Sequence, residues 1–195
     1  MRIACIVEGT TEYYCVPCIV ARLGNIVIGV ISTNGTFESW EKTIQTKVLP
    51  RVIAMAQKNP DKILVVLDRE KRKLCCGKLA NIAKEILEEK LHSKNHQCRI
   101  GMVISDPRFE STIFSDYESV DGLRILKHGI TAAFGPTTDG VNVLAHVKAA
   151  LRPGASYDKV IHGPALAQRL PLNDPKVIGR SKALRKLIKE ATESS

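Results

Sequence analysis

Four carboxylates stand where apolar runs of the chain end. Glu8 follows Arg2-Ile3-Ala4-Cys5-Ile6-Val7, and Glu12 comes one helical turn later. Asp68 follows Ile63-Leu64-Val65-Val66-Leu67, and Glu70 is two residues on. In a parallel sheet the strand C-termini open into one crevice, where ligands bind. If the two runs are neighbouring strands, Glu8, Asp68 and Glu70 converge there, with Glu12 above them. Carboxylates so close repel one another unless a cation or a proton intervenes. An all-oxygen set suits Mg²⁺ or Mn²⁺, which keep open positions for water and phosphate. Such a metal orients an in-line displacement and stabilises the charge that develops. Taken singly, each acid has a plainer role as a turn former or helix cap. Their joint placement at two strand ends is what points to a site.

The elements that would position them alternate. Apolar runs at 2–7, 26–31, 63–67 and 100–104 are rich in β-branched residues and unbroken, as in parallel strands buried on both faces. Ser32-Thr33-Asn34-Gly35 closes the second run. Helical periodicity fills the intervals. It covers 11–23, then 38–57 with Pro50 expected to kink or split it, then 77–92, where Leu79, Ile82, Ala83, Ile86, Leu87 and Leu91 form one stripe. This is an α/β pattern of right-handed crossovers, a largely parallel four-stranded sheet flanked by helices. Beyond about residue 106 helical signals dominate, at 108–117, 141–151, 157–170 and 181–192. The chain therefore divides into an α/β domain over 1–117 and a mainly helical C-terminal extension over 118–195 packed on it.

The motifs carry a resemblance. Val7-Glu8-Gly9-Thr10-Thr11-Glu12 resembles the E-G-x-T-E signature of Toprim-like domains, the form found in overcoming-lysogenization-defect nucleases and related small families. Val65-Val66-Leu67-Asp68-Arg69-Glu70 resembles the second Toprim motif, a strand ending in D-x-D. Pro107-Arg108-Phe109-Glu110, with Ile113-Phe114-Ser115-Asp116 after it, is similar to a third segment, so the likeness covers roughly residues 2–117. The resemblance implies that Glu8, Asp68 and Glu70 are catalytic. It implies that Glu8, Glu12, Asp68, Glu70 and Glu110 surround the metal, with Glu8 as proton carrier or ligand. Two departures stand out: Glu70 where Asp is usual, and Ser111-Thr112 where an aromatic residue is usual. Family analogy implies a Mg²⁺-dependent nuclease acting on DNA or RNA, an effector of a bacterial phage-defence system with an ATPase or other defence subunit as partner. A homodimer is compatible with it.

Charge agrees with a polyanionic partner. There are 29 Lys+Arg against 20 Asp+Glu, a net +9. Arg69, Lys71, Arg72, Lys73 and Lys78 cluster beside Asp68, and Arg180, Lys182 and Arg185 recur on one helix face; both groups are candidate phosphate contacts. Aromatic residues are only 5%, against a stacking platform for single strands. Six cysteines in a chain with ample aliphatics read as thiols of a cytoplasmic protein. Cys15-Val16-Pro17-Cys18 with Cys98, His92 and His96 offers a zinc alternative, though no second C-x-x-C exists. No apolar run approaches the about 18 residues that a membrane helix needs. The alternatives to a nuclease are a non-catalytic nucleic-acid- or partner-binding subunit on the same scaffold, which Glu70 favours, and a phosphoryl-transfer enzyme for a small substrate.

Overall fold

A computed structural model describes residues 1–33 and 39–193. The Asn34-Gly35 turn and the first residue of the helix expected at 38–57 lie outside the described residues. Four strands, β1 (Arg2–Val7), β2 (Ile26–Ser32), β3 (Lys62–Asp68) and β4 (Arg99–Ser105), form one sheet in the order β2-β1-β3-β4. Every pairing is parallel. The register sets Val7 beside Val66, so the two acid-bearing strand ends are neighbours, as expected.

The connections are helical. α1 (Thr10–Arg22) joins β1 to β2, and α4 (Cys76–His92) joins β3 to β4. Between β2 and β3 lie α2 (Trp40–Thr43), a π-helical turn over Ile44–Val48, and α3 (Leu49–Ala56). Pro50 sits in the first turn of α3. It has no N–H to return to the carbonyl four residues back, and the wide turn directly upstream is where the helix divides. After β4 come α5 (Glu110–Ile113), α6 (Tyr117–Asp121), a 3₁₀ turn (Thr131–Phe134), α7 (Val143–Ala150), α8 (His162–Arg169), α9 (Pro175–Gly179) and α10 (Lys182–Thr192).

Both faces of the sheet are covered, which explains the unbroken apolar runs. On one face Ile63, Val65 and Leu67 pack with Trp40, Ile44, Val52, Leu79 and Leu87 of α2–α4. On the other, Ile3, Cys5, Val7, Leu64 and Val66 share a cluster with α1 and with Val147, Leu166, Leu184 and Leu187 of the C-terminal helices. One hydrophobic cluster thus runs across residue 117. Lys62, buried at the start of β3, ties in the last helix: its ammonium donates to the main-chain carbonyls of Glu190 and Glu193 at the end of α10 and faces the Glu190 carboxylate. A cation there also suits the negative end of the helix dipole.

The helix expected at 157–170 begins five residues late. Asp158 accepts the backbone N–H groups of Val160 and Ile161 at 2.7 and 3.1 Å, and this local turn competes with the helix. Residues 157–161 are therefore a loop, and that loop reaches the site.

Candidate metal and phosphate site

The strand ends deliver the acids. Glu8 leaves β1 and turns its Oε2 to accept the backbone N–H of Asp68, the last residue of β3, at 2.8 Å. Gly9 then caps α1 and brings Glu12 back over the same crevice. A Cβ on Gly9 would stand 3.0 Å from Glu12 Oε2, so the glycine makes room for that carboxylate. From the other side, Glu110 opens α5 and accepts the Thr11 hydroxyl at 2.8 Å.

Glu8, Glu12, Asp68, Glu70, Glu110, Arg108 and Lys159 line one cavity of about 220 Å³. Glu8, Glu12, Asp68 and Glu110 are all buried. Burial, then repulsion by Glu110 and Glu8, pushes the Glu12 carboxyl up to about 7. Asp68 is raised well above its ordinary value, first by burial and then by Glu12, Glu8 and Glu110. Glu8 is raised too, mainly by burial, against the lowering effect of the Asp68 N–H.

Glu70 differs. Its backbone lies in the left-handed region, at φ 49°, which a non-glycine residue adopts at a cost. The turn is held by its N–H, donated to the Pro107 carbonyl at 2.8 Å. Its carboxylate is part-exposed, 3.8 Å from Arg72, so it stands on the rim of the cavity while the other four acids fill it.

A cation is already present. Lys159, from the 157–161 loop, reaches Glu110 Oε1 at 2.8 Å. Tyr157 anchors that loop, edge-on to Phe114 and stacked on His162. Neither Lys159 nor Arg108 stands out in the sequence as a site residue. Lys159 lies in a segment with helical periodicity and becomes a site residue only because Asp158 forms the turn. Arg108 is visible only as part of Pro107-Arg108-Phe109-Glu110.

The expected phosphate contacts separate. Lys71 is exposed near the cavity, and Lys73 and Lys78 are exposed on the surface. Arg72 clamps its own loop, donating to the Asp68 carbonyl at 2.9 Å and stacking over Trp40. Arg69 turns away to Asp106, at 2.9 Å, and lines a different cavity together with Lys182. Arg180 is engaged inside the fold, over the Tyr117 ring and on the Ser115 carbonyl at 3.0 Å, while Arg185 is exposed on α10. The zinc alternative fails on geometry: Cys15 belongs to the cluster on one face of the sheet, and Cys98 packs against the cluster on the other.

Among the described residues, no three His, Cys, Asp or Glu side chains already surround a point where a metal ion could be held. The chemistry of the donors nevertheless fits a hard divalent cation. All are carboxylate oxygens, and Asp68 Oδ1 is buried with no hydrogen-bond partner. Such an orphaned acceptor is costly unless a proton or a cation satisfies it.

No family model matches the sequence, and no curated protein matches it. Solved structures do resemble it. The C-terminal region of the Burkholderia pseudomallei OLD protein superposes with a TM-score of 0.52 at 15% identity, covering 97% of this chain and 96% of that one. The chain has the Toprim-like fold of an OLD C-terminal region. The corresponding region of the Xanthomonas campestris pv. campestris OLD protein gives a TM-score of 0.43 at 14% identity, over 97% and 95% of the two chains. The Toprim-like likeness in sequence ends near residue 117, whereas the structural likeness to the Burkholderia region also takes in the C-terminal helices. Among the described residues no helix is long and apolar enough to cross a membrane.

Proposed function

We propose that this chain is a divalent-metal-dependent phosphodiesterase acting on nucleic acid. The observation that carries the reading is the gathering of Glu8, Glu12, Asp68 and Glu110, buried, in one cavity with Lys159. Asp68, Glu8 and Glu12 would hold Mg²⁺ or Mn²⁺, with Glu110 behind them and Glu70 at the rim. When bound, the metal supplies a Lewis acid for a phosphoryl oxygen and lowers the pKa of a bound water.

The chain's own groups supply the rest. Glu8, held by the Asp68 N–H and with its carboxyl raised above the ordinary value by burial, would serve as the proton carrier. Lys159, steadied by Glu110, offers a positive charge to a phosphoryl oxygen. Thr11 fixes Glu110, so that α1 and α5 hold the cavity as one unit. A role in phage defence and an ATPase-bearing partner are proposed by family analogy alone.

The test is incubation of the purified chain with plasmid, single-stranded DNA and total RNA, in Mg²⁺, Mn²⁺ or EDTA. Metal-dependent cleavage that Asp68→Asn abolishes supports the reading. Asn keeps the shape of Asp68 and removes the charge. Cleavage that survives Asp68→Asn would move the chemistry elsewhere.

A second reading is a binding subunit that retains the scaffold without the reaction. The rim position of Glu70, its carboxylate facing Arg72, favours it. No cleavage with either metal, alone or with proteins encoded by neighbouring genes, together with nucleic-acid binding unaffected by Asp68→Asn, would establish it.

A further inference from the structure

Beside the acidic cavity lies a second cleft, of about 520 Å³, lined by Glu70, Lys71, Pro107, Arg108, Asn142, Leu144, Ala145 and Lys148. The two share a wall, Glu70 and Arg108. The new cleft is assembled from three distant segments: the turn after β3, the loop after β4, and the first two turns of α7. Pro107, Leu144 and Ala145 make an apolar wall, and Lys71, Arg108 and Lys148 stand exposed around it. Among the described residues none of these three cations has an ion pair or side-chain hydrogen bond. Other cations of the fold are neutralised: Arg69 by Asp106, Lys186 by Glu190 and Lys189 by Glu193.

An apolar wall ringed by unpaired cations matches a nucleotide, whose base and sugar bury against carbon while its phosphates meet charge. A mononucleotide would fill one cleft only. The shared wall leads from this cleft into the acidic cavity, and a polynucleotide strand can occupy both. We propose that the cleft is a subsite for a nucleotide flanking the scissile phosphate, with Lys71, Arg108 and Lys148 on the strand's backbone. This rests on reading the acidic cavity as the place of phosphodiester chemistry. It assigns part of substrate recognition to α7, well beyond the segment that carries the sequence motifs. It also separates the active track from α10, whose Lys182 lines a different cavity.

The test measures binding of a short fluorescein-labelled single-stranded oligonucleotide by anisotropy, in EDTA so that nothing is cleaved, over a range of salt. Lys148→Ala and Lys71→Ala are each expected to weaken binding roughly three- to tenfold, since an exposed charge contributes modestly. Each should also flatten the log–log salt slope by about 0.7, the value for one phosphate contact on a single strand. Lys84→Ala, on the exposed face of α4 where it pairs with Glu88 at 3.5 Å, should change neither. Wild-type affinity in Lys148→Ala and Lys71→Ala overturns the proposal, as does a loss found instead in Lys182→Ala and Arg185→Ala. A wild-type protein that binds no oligonucleotide even at low salt overturns it too. Failure of the reaction is distinguishable: binding lost in Lys148→Ala from a protein that never cleaves leaves the subsite standing and removes only the catalytic reading.

Discussion

Glutamine in place of Glu12 should make the metal-free protein more stable, and only above a certain pH. In the fold the Glu12 carboxyl titrates at about 7 against an ordinary value of 4.5, because burial and the charges of Glu110 and Glu8 disfavour its ionised form. Below 4.5 the acid is protonated whether folded or unfolded, and the site carries no penalty from it. As the pH rises through 7, the folded chain must hold a charge that the unfolded chain holds freely. The gap corresponds to about 3 kcal/mol of stability lost between those limits. Glutamine keeps the shape and cannot ionise, so Glu12→Gln should recover roughly that amount above pH 7 and nothing in acid. For a chain of this length that is roughly 6 to 12 °C in Tm. Thermal and urea unfolding of both proteins, near pH 5 and near pH 8 in EDTA, reads it directly. Excess Mg²⁺ should then narrow the difference. A ligand at a hundred times its Kd adds about 2.7 kcal/mol, and the wild type should gain more of this than the variant. Equal stability of the two proteins near pH 8 in EDTA would refute the reasoning, as would a gain by the variant that is largest in acid.

Gly9→Ala, which sets a Cβ 3.0 Å from Glu12 Oε2 at an ordinary φ of −131°, should leave the fold intact and weaken Mg²⁺ binding several-fold by calorimetry. Lys159→Ala should lower the turnover of phosphodiester cleavage more than it raises KM, because it removes a charge held at the acids by Glu110; an effect on KM alone would make Lys159 a binding group. Glu70→Asp, which eases the left-handed backbone at φ 49° and restores the usual motif residue, should melt no lower than wild type and cleave at least as fast. A fragment ending at residue 117 should aggregate or melt without cooperativity, because it uncovers the face of β1 and β3 on which Leu166, Leu184 and Leu187 pack.

What the sequence determined by itself is local or periodic. Unbroken β-branched runs require both faces of a strand to be covered, so four parallel strands were legible, with ends within a residue or two of those observed. A Glu-Gly turn at the end of a strand and a D-x-E at the end of another carry their meaning in a few contiguous residues. The acids at Glu8, Glu12 and Asp68 could therefore be found before any distance was known. Helix boundaries were less legible. Asp158 looks like a helical residue by periodicity, but it turns its carboxylate onto the N–H groups of Val160 and Ile161 and ends the pattern.

The tertiary structure alone decided which charged side chains line the cavity. Arg69 and Arg72 in one cluster and Arg180 in another read in the sequence as candidate phosphate contacts, and in the fold each has a partner: Asp106, the Asp68 carbonyl and the Tyr117 ring. Lys159 and Lys148, from a segment without motifs, were carried to the acids and to the flanking cleft by the chain's return across the sheet. A side chain's charge is written in the sequence. Whether that charge is neutralised is not, because ion pairs and stacks form between residues that only the packing of distant elements brings within reach.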